Sequence, residues 1–171
     1  MTQRRRAVIV GCGNIAGGFD EAPDENAVRT HVKAYLQNPR VELVGVADVD
    51  ASKASAFASR WGIPRFYADA REMLEREKPD LVSICSPNET HAPFLELCAS
   101  HKVKGVWCEK PVGTDAPAAR RALESCRAAG TVVAVNYMRR WLEQSTAVKK
   151  ALADGSLGRP LRVQSVYTKG L

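Results

Sequence analysis

Residues 7–16 read AVIVGCGNIA, a short apolar run that ends in two closely spaced glycines. Gly11, Gly13 and Ala16 have the spacing G-x-G-x-x-[G/A] directly after a predicted strand. In this context Gly11 permits a tight turn and Gly13 lets the backbone approach a pyrophosphate. Ala16 lets the following helix pack closely on the strand. The sequence therefore predicts a strand, a glycine turn and a helix.

The same stretch predicts where a dinucleotide would be held. Free backbone N–H groups at the start of a helix bind phosphate, and here these are the groups at Asn14 and Ile15. The alternative is a glycine-rich turn that has no ligand. The strand, turn and helix context favours the binding site.

Four further apolar runs end in polar loops, and amphipathic segments lie between them. The runs are VELVGVAD, DLVSICS, VKGVWCEK and TVVAVN, and they end at Asp48, Ser86, Lys110 and Asn136; helices are predicted to begin at Asp50, Asp69 and Asp115. Strands that are apolar on both faces and joined by helices indicate a parallel sheet covered on both sides. The sequence thus predicts an α/β fold, with a doubly wound Rossmann-type sheet over residues 1–136.

The pattern changes after residue 136. RRWLEQSTAVKKALADGSLG predicts a longer helix closed at Gly155, and PLRVQSVY alternates like one half-exposed strand. One strand is not a stable domain. We expect residues 137–171 to be the helix and first strand of a truncated C-terminal domain for substrate binding or oligomerisation. The apolar strand face at residues 161–167 favours a homo-oligomer.

Composition excludes several classes of protein. The chain has 171 residues, a net charge of +6 and an odd number of cysteines, five, with no C-x-x-C pair. This predicts a cytoplasmic protein with reduced thiols and no metal site. No apolar run is long enough for an export signal or a membrane span. The positive residues are scattered, so we expect no nucleic-acid partner.

Asp48 ends the second predicted strand, where a carboxylate can accept the hydroxyls of an adenosine ribose. It lies further from Ala16 than the roughly 20 residues expected for this role. The polar, acidic stretch GGFDEAPDENAVRTH, residues 17–31, explains the excess as an insertion before a helix. A carboxylate here repels a 2′-phosphate, so the sequence favours NAD over NADP.

CSPNETH, residues 85–91, follows the third run at the edge of the sheet where ligands of α/β proteins bind. Ser86 and Asn88 offer short hydrogen-bonding side chains for a nicotinamide ribose. His91 lies in the first turn of the next helix. Taken alone, His91 fits a structural histidine better than a catalytic one.

The fourth run ends in Glu109-Lys110-Pro111. Pro111 fixes the backbone after Lys110, which leaves the sheet towards the same crevice. Lys110 could then donate a proton or a hydrogen bond to the oxygen of a carbonyl being reduced. The alternative is a surface lysine before a turn, and this motif alone does not decide between the two.

VNYMRRW follows the fifth run. Asn136 lies at the strand end, near the predicted crevice, and Arg140 could bind an anionic or polyhydroxy substrate. An equally good interpretation places the arginine in ion pairs at a domain boundary. Lys110, Asn136 and Arg140 are the candidate substrate ligands that the sequence predicts.

Together, VIVGCGNIAG, VGVADVD, CSPNETHAPF, CEKPVG and VNYMRRW resemble the Gfo/Idh/MocA family of NAD(P)-dependent oxidoreductases. The resemblance implies a Rossmann domain followed by an α/β domain, and sugar, cyclitol or related polyol and keto substrates. It implies that Lys110 is catalytic, with Glu109 and Pro111 beside the nicotinamide. It also implies that Asp48 binds the ribose, and that Asn88 and His91 lie along the cofactor.

The family also has a catalytic histidine in its second domain, in a G-x-H-like stretch that this sequence does not contain. We therefore expect an N-terminal part of a larger enzyme, a shortened gene product or a subunit completed in trans. The alternative function is a non-catalytic NAD(H)-binding module, such as a redox sensor or regulatory subunit. The intact Glu-Lys-Pro motif favours the enzyme.

Overall fold

The strands are β1 (Arg5–Val10), β2 (Val41–Ala47), β3 (Phe66–Tyr67), β4 (Leu81–Ile84), β5 (Gly105–Cys108) and β6 (Val132–Val135). The helices are α1 (His31–Leu36), α2 (Ala51–Trp61), α3 (Ala70–Glu77), α4 (His91–Ser100), α5 (Ala116–Ala129) and α6 (Glu143–Ala153). These elements come from a computed structural model that describes residues 4–20, 27–164 and 166. All strands are parallel, in the order β3-β2-β1-β4-β5-β6. The predicted α/β class and doubly wound sheet are confirmed.

Two hydrophobic cores, one on each face of the sheet, follow from the alternation of side chains along β1. Val8 and Val10 belong to the core that contains residues of α3, α4 and α5. Ala7 and Ile9 belong to the core that contains residues of α1 and α2. Successive strand side chains point to opposite faces, so a strand that is apolar throughout is stable only when both faces are covered. Each large aliphatic side chain buried in this way contributes about 2 kcal/mol.

The helices α2, α3 and α5 begin after the aspartates that the sequence predicts as their N-caps. The Asp50 carboxylate accepts two backbone N–H groups at the start of α2, and Gly62 ends that helix with a left-handed φ of +65°. Asp69 and Asp115 cap α3 and α5 through their side chains. These residues stabilise helix termini because they bind N–H groups that have no partner within the helix.

β3 was not predicted from the sequence. It has two residues, which pair with the last two residues of β2. A strand this short shows no periodicity that would separate it from a loop. It nevertheless widens the first half of the sheet and places the chain that follows it beside Asp48, whose backbone N–H bonds to the carbonyl of Tyr67 at 3.2 Å.

The helix after the glycine turn is split by the predicted insertion. One helical turn forms first, with the N–H of Gly17 bonded to the carbonyl of Gly13 at 3.1 Å. The chain then leaves the helix and returns at α1. There the N–H groups of His31 and Val32 bond to the carbonyls of residues 15 and 16 at 3.2 and 2.9 Å. The two pieces therefore share hydrogen bonds that a continuous helix would make internally, which agrees with the predicted short helical turn followed by a separate helix; that the residues between them are an insertion stays a prediction.

The chain divides into two compact units, residues 1–136 and 137–171. In the second unit the predicted long helix is shorter than expected. Met138–Trp141 forms a 3₁₀ turn, and Leu142 is extended, so α6 begins only at Glu143. The prediction of a strand is wrong for residues 161–164 and 166, which are in no strand. The described part of this unit offers no strand to pair with; residues 165 and 167 of the expected strand lie outside the described residues.

Candidate dinucleotide-binding site

Four of the predicted strand ends meet at one edge of the sheet. The backbone N–H groups of Gly11, Cys85, Glu109 and Asn136 each bond to the last residue of a neighbouring strand, at 2.7 to 2.9 Å. The order of the strands reverses between β1 and β4. In open α/β sheets the crevice beyond the carboxyl ends at such a reversal is where ligands bind. The structure therefore brings the glycine turn and the Glu-Lys-Pro segment to the same edge of the sheet.

Gly11 and Gly13 have different roles in the turn. Gly11 has a φ of +89°, and a Cβ there would lie 2.7 Å from the backbone N of Ser86. Only glycine fits this position, because the backbone of the loop after β4 passes directly against it. Gly13, by contrast, has no atom within 4 Å of its would-be Cβ. The open space over Gly13 leaves its backbone accessible, as the approach of a diphosphate requires.

The residues after Gly13 begin the helical turn. Asn14 is exposed and Ile15 is half-buried, whereas Ala16 is fully buried in the core below. The close approach between the turn and α2 occurs at Gly17, where a Cβ would lie 2.6 Å from the ring of Phe57. N–H groups at the start of a helix have no partner within it and bind anions.

Asp48 is held by the glycine turn itself. Its Oδ2 accepts the backbone N–H of Cys12 at 2.8 Å, and its Oδ1 accepts the N–H of Asp50 at 3.2 Å. Lys53 Nζ lies 3.2 Å from Oδ2. Burial raises the pKa of Asp48, but these hydrogen bonds and the lysine outweigh it and hold the pKa below its ordinary value. A fixed, ionised carboxylate at this point can accept hydroxyl hydrogens from a ribose.

An apolar cleft of about 180 Å³ opens beside Asp48. Its walls include Val49, Ala68, Pro87 and Phe94. A flat aromatic base gains free energy from such walls because it loses apolar surface to water. The first half of the crevice thus combines an apolar cleft, a carboxylate and a glycine turn, and it fits an adenosine diphosphate group.

The loop after β4 contributes less than the sequence suggested. Ser86 Oγ bonds to Thr90 Oγ1 at 2.6 Å, so this hydroxyl already has a partner within its own loop. Asn88 is exposed at the start of a 3₁₀ turn, Asn88–Thr90. Of these predicted contacts for a nicotinamide ribose, Asn88 is the one whose side chain is exposed.

The prediction that His91 binds the cofactor is corrected by its burial. The side chain is fully buried. Its Nδ1 lies 2.5 Å from the carbonyl oxygen of Pro111, and its Nε2 lies 2.9 Å from that of Ser86. Both ring nitrogens therefore lie against backbone carbonyls, one in each of two loops at this edge of the sheet. His91 is therefore placed to fix these two loops, and its side chain has no exposed surface with which to contact a ligand.

Glu109 is also buried, and its partners were not foreseen. Its Oε1 lies 3.0 Å from Nε2 of His31 and accepts a hydrogen bond from the side chain of Asn136. Burial raises the pKa of Glu109, but the bonds from His31 and Asn136 outweigh it and lower the pKa. The amide of Asn136, predicted to bind substrate, is thus engaged with Glu109.

His31 lies 78 residues from Glu109 in the sequence, and no local spacing links them. One signal that could have shown this contact is a histidine on the apolar face of α1, next to Val32 and one helical turn from Tyr35. A polar side chain in a core position needs a partner. Ser83, in the middle of an apolar strand, is a second such signal.

Lys110 is exposed at the carboxyl edge of the sheet, between buried Glu109 and half-buried Pro111, and the Lys110–Pro111 peptide bond is cis. Arg140 lies in the second unit, in an exposed 3₁₀ turn, and its role in substrate binding stays a prediction.

Cys12 lies within the glycine turn, between Gly11 and Gly13, and burial and the nearby charge of Asp48 raise the pKa of its thiol to about 12. It is therefore a thiol and not a nucleophilic thiolate at neutral pH.

Residues 5–137 match the family model GFO_IDH_MocA, described as an oxidoreductase family with an NAD-binding Rossmann fold. The chain belongs to this family. The Gfo/Idh/MocA match covers the whole sheet and ends just after Asn136. None of the helices among the described residues is long and apolar enough to cross a membrane. Nor do the described residues contain a group of three or more His, Cys, Asp or Glu that could hold a metal ion.

Named relatives extend the comparison. An inositol 2-dehydrogenase from Rubrobacter xylanophilus is 34% identical over 94% of the chain and 43% of its own length. A D-apiose dehydrogenase from Paraburkholderia graminis is 30% identical over 92% of the chain and 39% of its own length. The crystal structure of the WlbA dehydrogenase from Bordetella pertussis, in complex with NADH and UDP-GlcNAcA, superposes with a TM-score of 0.79 at 26% identity. It covers 92% of the chain and 44% of that protein. The chain thus spans less than half the length of these relatives.

Proposed function

We propose that this chain binds NAD across the carboxyl edge of its sheet and supplies the lysine of a hydride-transferring oxidoreductase. Its substrate class is a sugar, a cyclitol or a related polyol or keto compound. The observation that supports the proposal is the placement of Asp48 and Lys110 on opposite sides of the strand reversal between β1 and β4. Asp48 marks the adenosine half of the crevice, and Lys110 marks the nicotinamide half.

The residues present fit the dinucleotide. The cleft beside Asp48 accepts the adenine ring, and the Asp48 carboxylate accepts the ribose hydroxyls. The turn at Gly13 gives the pyrophosphate access to backbone N–H groups. The negative charge of Asp48 disfavours a 2′-phosphate, which supports NAD over NADP, although Lys53 offsets part of that charge.

Bound NAD would supply the hydride acceptor, and its reduced form the hydride donor. The protein's part is to hold the reacting carbon and to move a proton to or from its oxygen. Lys110 is suited to moving this proton, because its side chain is exposed, whereas that of the preceding residue, Glu109, is buried. Glu109 is not suited, because its carboxylate is engaged by His31 and Asn136.

The relatives support the substrate class. An inositol 2-dehydrogenase and a D-apiose dehydrogenase are named for a cyclitol and a sugar. Asn136 and Arg140 remain proposed substrate ligands.

Five free, buried cysteines support the expected cytoplasmic location. Self-association into a homo-oligomer is likewise still a prediction.

The experiment is a calorimetric titration of the chain with NADH and NADPH, combined with circular dichroism to verify folding. NADH should bind more tightly than NADPH. We expect Lys110→Met to leave the chain folded and to abolish NAD reduction in the enzyme that contains it. A folded chain that binds neither nucleotide at millimolar concentration would refute the proposal.

A further inference from the structure

A chain of buried polar side chains runs beneath the Glu-Lys-Pro segment. Tyr35 Oη lies 2.8 Å from Ser83 Oγ, and Ser83 Oγ lies 2.9 Å from Nδ1 of His31. Nε2 of His31 lies 3.0 Å from Glu109. His31 is 1% exposed and Ser83 is fully buried. Four polar groups from α1, β4 and the end of β5 are thus linked within an otherwise apolar core.

The direction of the hydrogen bonds follows from the acceptor at one end. An ionised carboxylate only accepts, so Nε2 of His31 carries the proton that it donates to Glu109. Nδ1 can then accept from the hydroxyl of Ser83, which in turn accepts from Tyr35. With these directions, each of the four linked side chains has a hydrogen-bond partner. The ring of His31 also packs against Trp107, with centroids 3.8 Å apart, which fixes its orientation.

Lys110 is anchored on both sides by a buried histidine. Glu109, the preceding residue, is held by His31, which belongs to the core with α1 and α2. Pro111, the following residue, has its carbonyl against Nδ1 of His91, at the start of α4 on the other face of the sheet. The backbone N–H of Lys110 also helps to lower the pKa of the Glu109 carboxyl group. The lysine therefore protrudes from a segment fixed from both faces.

We propose that His31 is a positioning residue: it orients the Glu109 carboxylate, and through it Lys110, for the nicotinamide half of the cofactor. The proposal rests on the proposed function for the identity of that cofactor. The competing explanation is that the buried network only stabilises the fold. The two differ in which half of the dinucleotide loses affinity when His31 is changed.

Substitution of His31 by Gln or by Asn distinguishes its bond to Glu109 from its bond to Ser83. Gln carries an amide group near the position of Nε2 and keeps the bond to Glu109. Asn places its amide near Nδ1 and keeps only the bond to Ser83. His101→Asn is the matched control, since His101 lies at the end of α4 and bonds within its own helix.

The cofactor test compares NADH with ADP, which contains only the adenosine half. We expect His31→Asn to weaken NADH binding by up to about tenfold, because Glu109 and the segment that carries Lys110 are no longer held in place; the free energy of one hydrogen bond to a charged group sets that limit. ADP affinity should not change, and His31→Gln should restore NADH binding. Equal losses for NADH and ADP, equal losses for Asn and Gln, or no loss at all would each overturn the positioning role.

A second measurement needs no cofactor. Nitrogen NMR of the free chain should show His31 with its proton on Nε2. The amide proton of Lys110 should exchange faster with solvent in His31→Asn than in His31→Gln or His101→Asn. An unchanged Lys110 amide in His31→Asn would overturn the proposal whatever the nucleotides do. A chain that binds neither NADH nor ADP but shows the expected amide pattern would refute the proposed function and support the positioning role.

Discussion

The backbone N–H of Cys12 donates to the Asp48 carboxylate at 2.8 Å, which joins the glycine turn after β1 to the end of β2. One carboxylate therefore both closes the turn and faces the expected position of the adenosine ribose. The turn and the ribose site are thus coupled, because a change at Asp48 leaves a turn N–H without its acceptor.

Asp48→Ala should lower NADH affinity by more than tenfold, because the ribose loses an acceptor and the Cys12 N–H loses its partner. Calorimetric titration measures this effect. Asp50→Asn is the matched control: it removes a charge two residues away, and asparagine still caps α2. Undiminished NADH binding in Asp48→Ala would contradict the assigned ribose site.

Lys53 should influence the choice between the two nucleotides. Its Nζ lies 3.2 Å from Asp48 Oδ2, and its side chain is about half exposed, so it offsets part of the carboxylate charge. Lys53→Met should therefore shift selectivity further towards NADH, by up to about fivefold for a solvent-screened pair. The ratio of the NADH and NADPH dissociation constants is the measurement. A shift towards NADPH would contradict this prediction.

The two glycines of the turn should respond differently to alanine. Gly11→Ala forces a Cβ to 2.7 Å from the backbone of Ser86 at a left-handed φ, and should destabilise the fold by about 2 kcal/mol or more. Gly13→Ala meets no atom within 4 Å, so it should fold normally yet bind NADH weakly. Urea denaturation and NADH titration of both variants separate these effects. Normal NADH binding by Gly13→Ala would argue against close approach of the pyrophosphate.

Acid should destabilise the chain through its buried carboxylates. Burial raises the pKa of Glu77, but hydrogen bonds from Arg65 and Tyr67 and the charges of Arg65 and Arg6 outweigh it, so its pKa lies below the ordinary 4.5. A lowered folded-state pKa adds stability that is complete above about pH 4.5 and is lost as pH falls through the folded-state value. Glu77→Gln should be less stable at pH 7 by about 1–3 kcal/mol.

Urea midpoints measured from pH 7 to pH 3 test this prediction. The unmodified chain should lose stability below about pH 4.5, and Glu77→Gln should lose less over the same range. Glu75→Gln, on the same helix but exposed, is the matched control. An identical pH dependence in the Glu77→Gln variant and the unmodified chain would show that Glu77 does not contribute.

The sequence was sufficient for five of the six strands and for the placement of Asp48 beside the glycine turn, since these depend on local patterns. An apolar run, a glycine turn and a strand-end aspartate lie within short stretches whose geometry is set by the backbone. The two-residue β3 has no such pattern. The partners of Glu109 were also hidden, because His31 and Asn136 approach it only after β5, β6 and α1 have packed.

His91 illustrates the opposite error. Its position after a strand end suggested contact with a ligand, yet its two ring nitrogens meet backbone carbonyls. Nothing in a linear sequence reports which way a side chain turns at the start of a helix. Burial favours a structural role for His91 over a catalytic one. In the same way, residues 161–164 alternate like a strand but form none, because no described strand of their unit pairs with them.

The split helix has an evolutionary consequence. The carbonyls of Ile15 and Ala16 accept the N–H groups of His31 and Val32 directly, so the contact between the helical turn and α1 is made by residues on either side of the predicted insertion. Its length can drift between lineages while His31 keeps its register over Glu109. Gaps of different size should therefore accumulate here in alignments, and the residues that flank them should remain superposable in space.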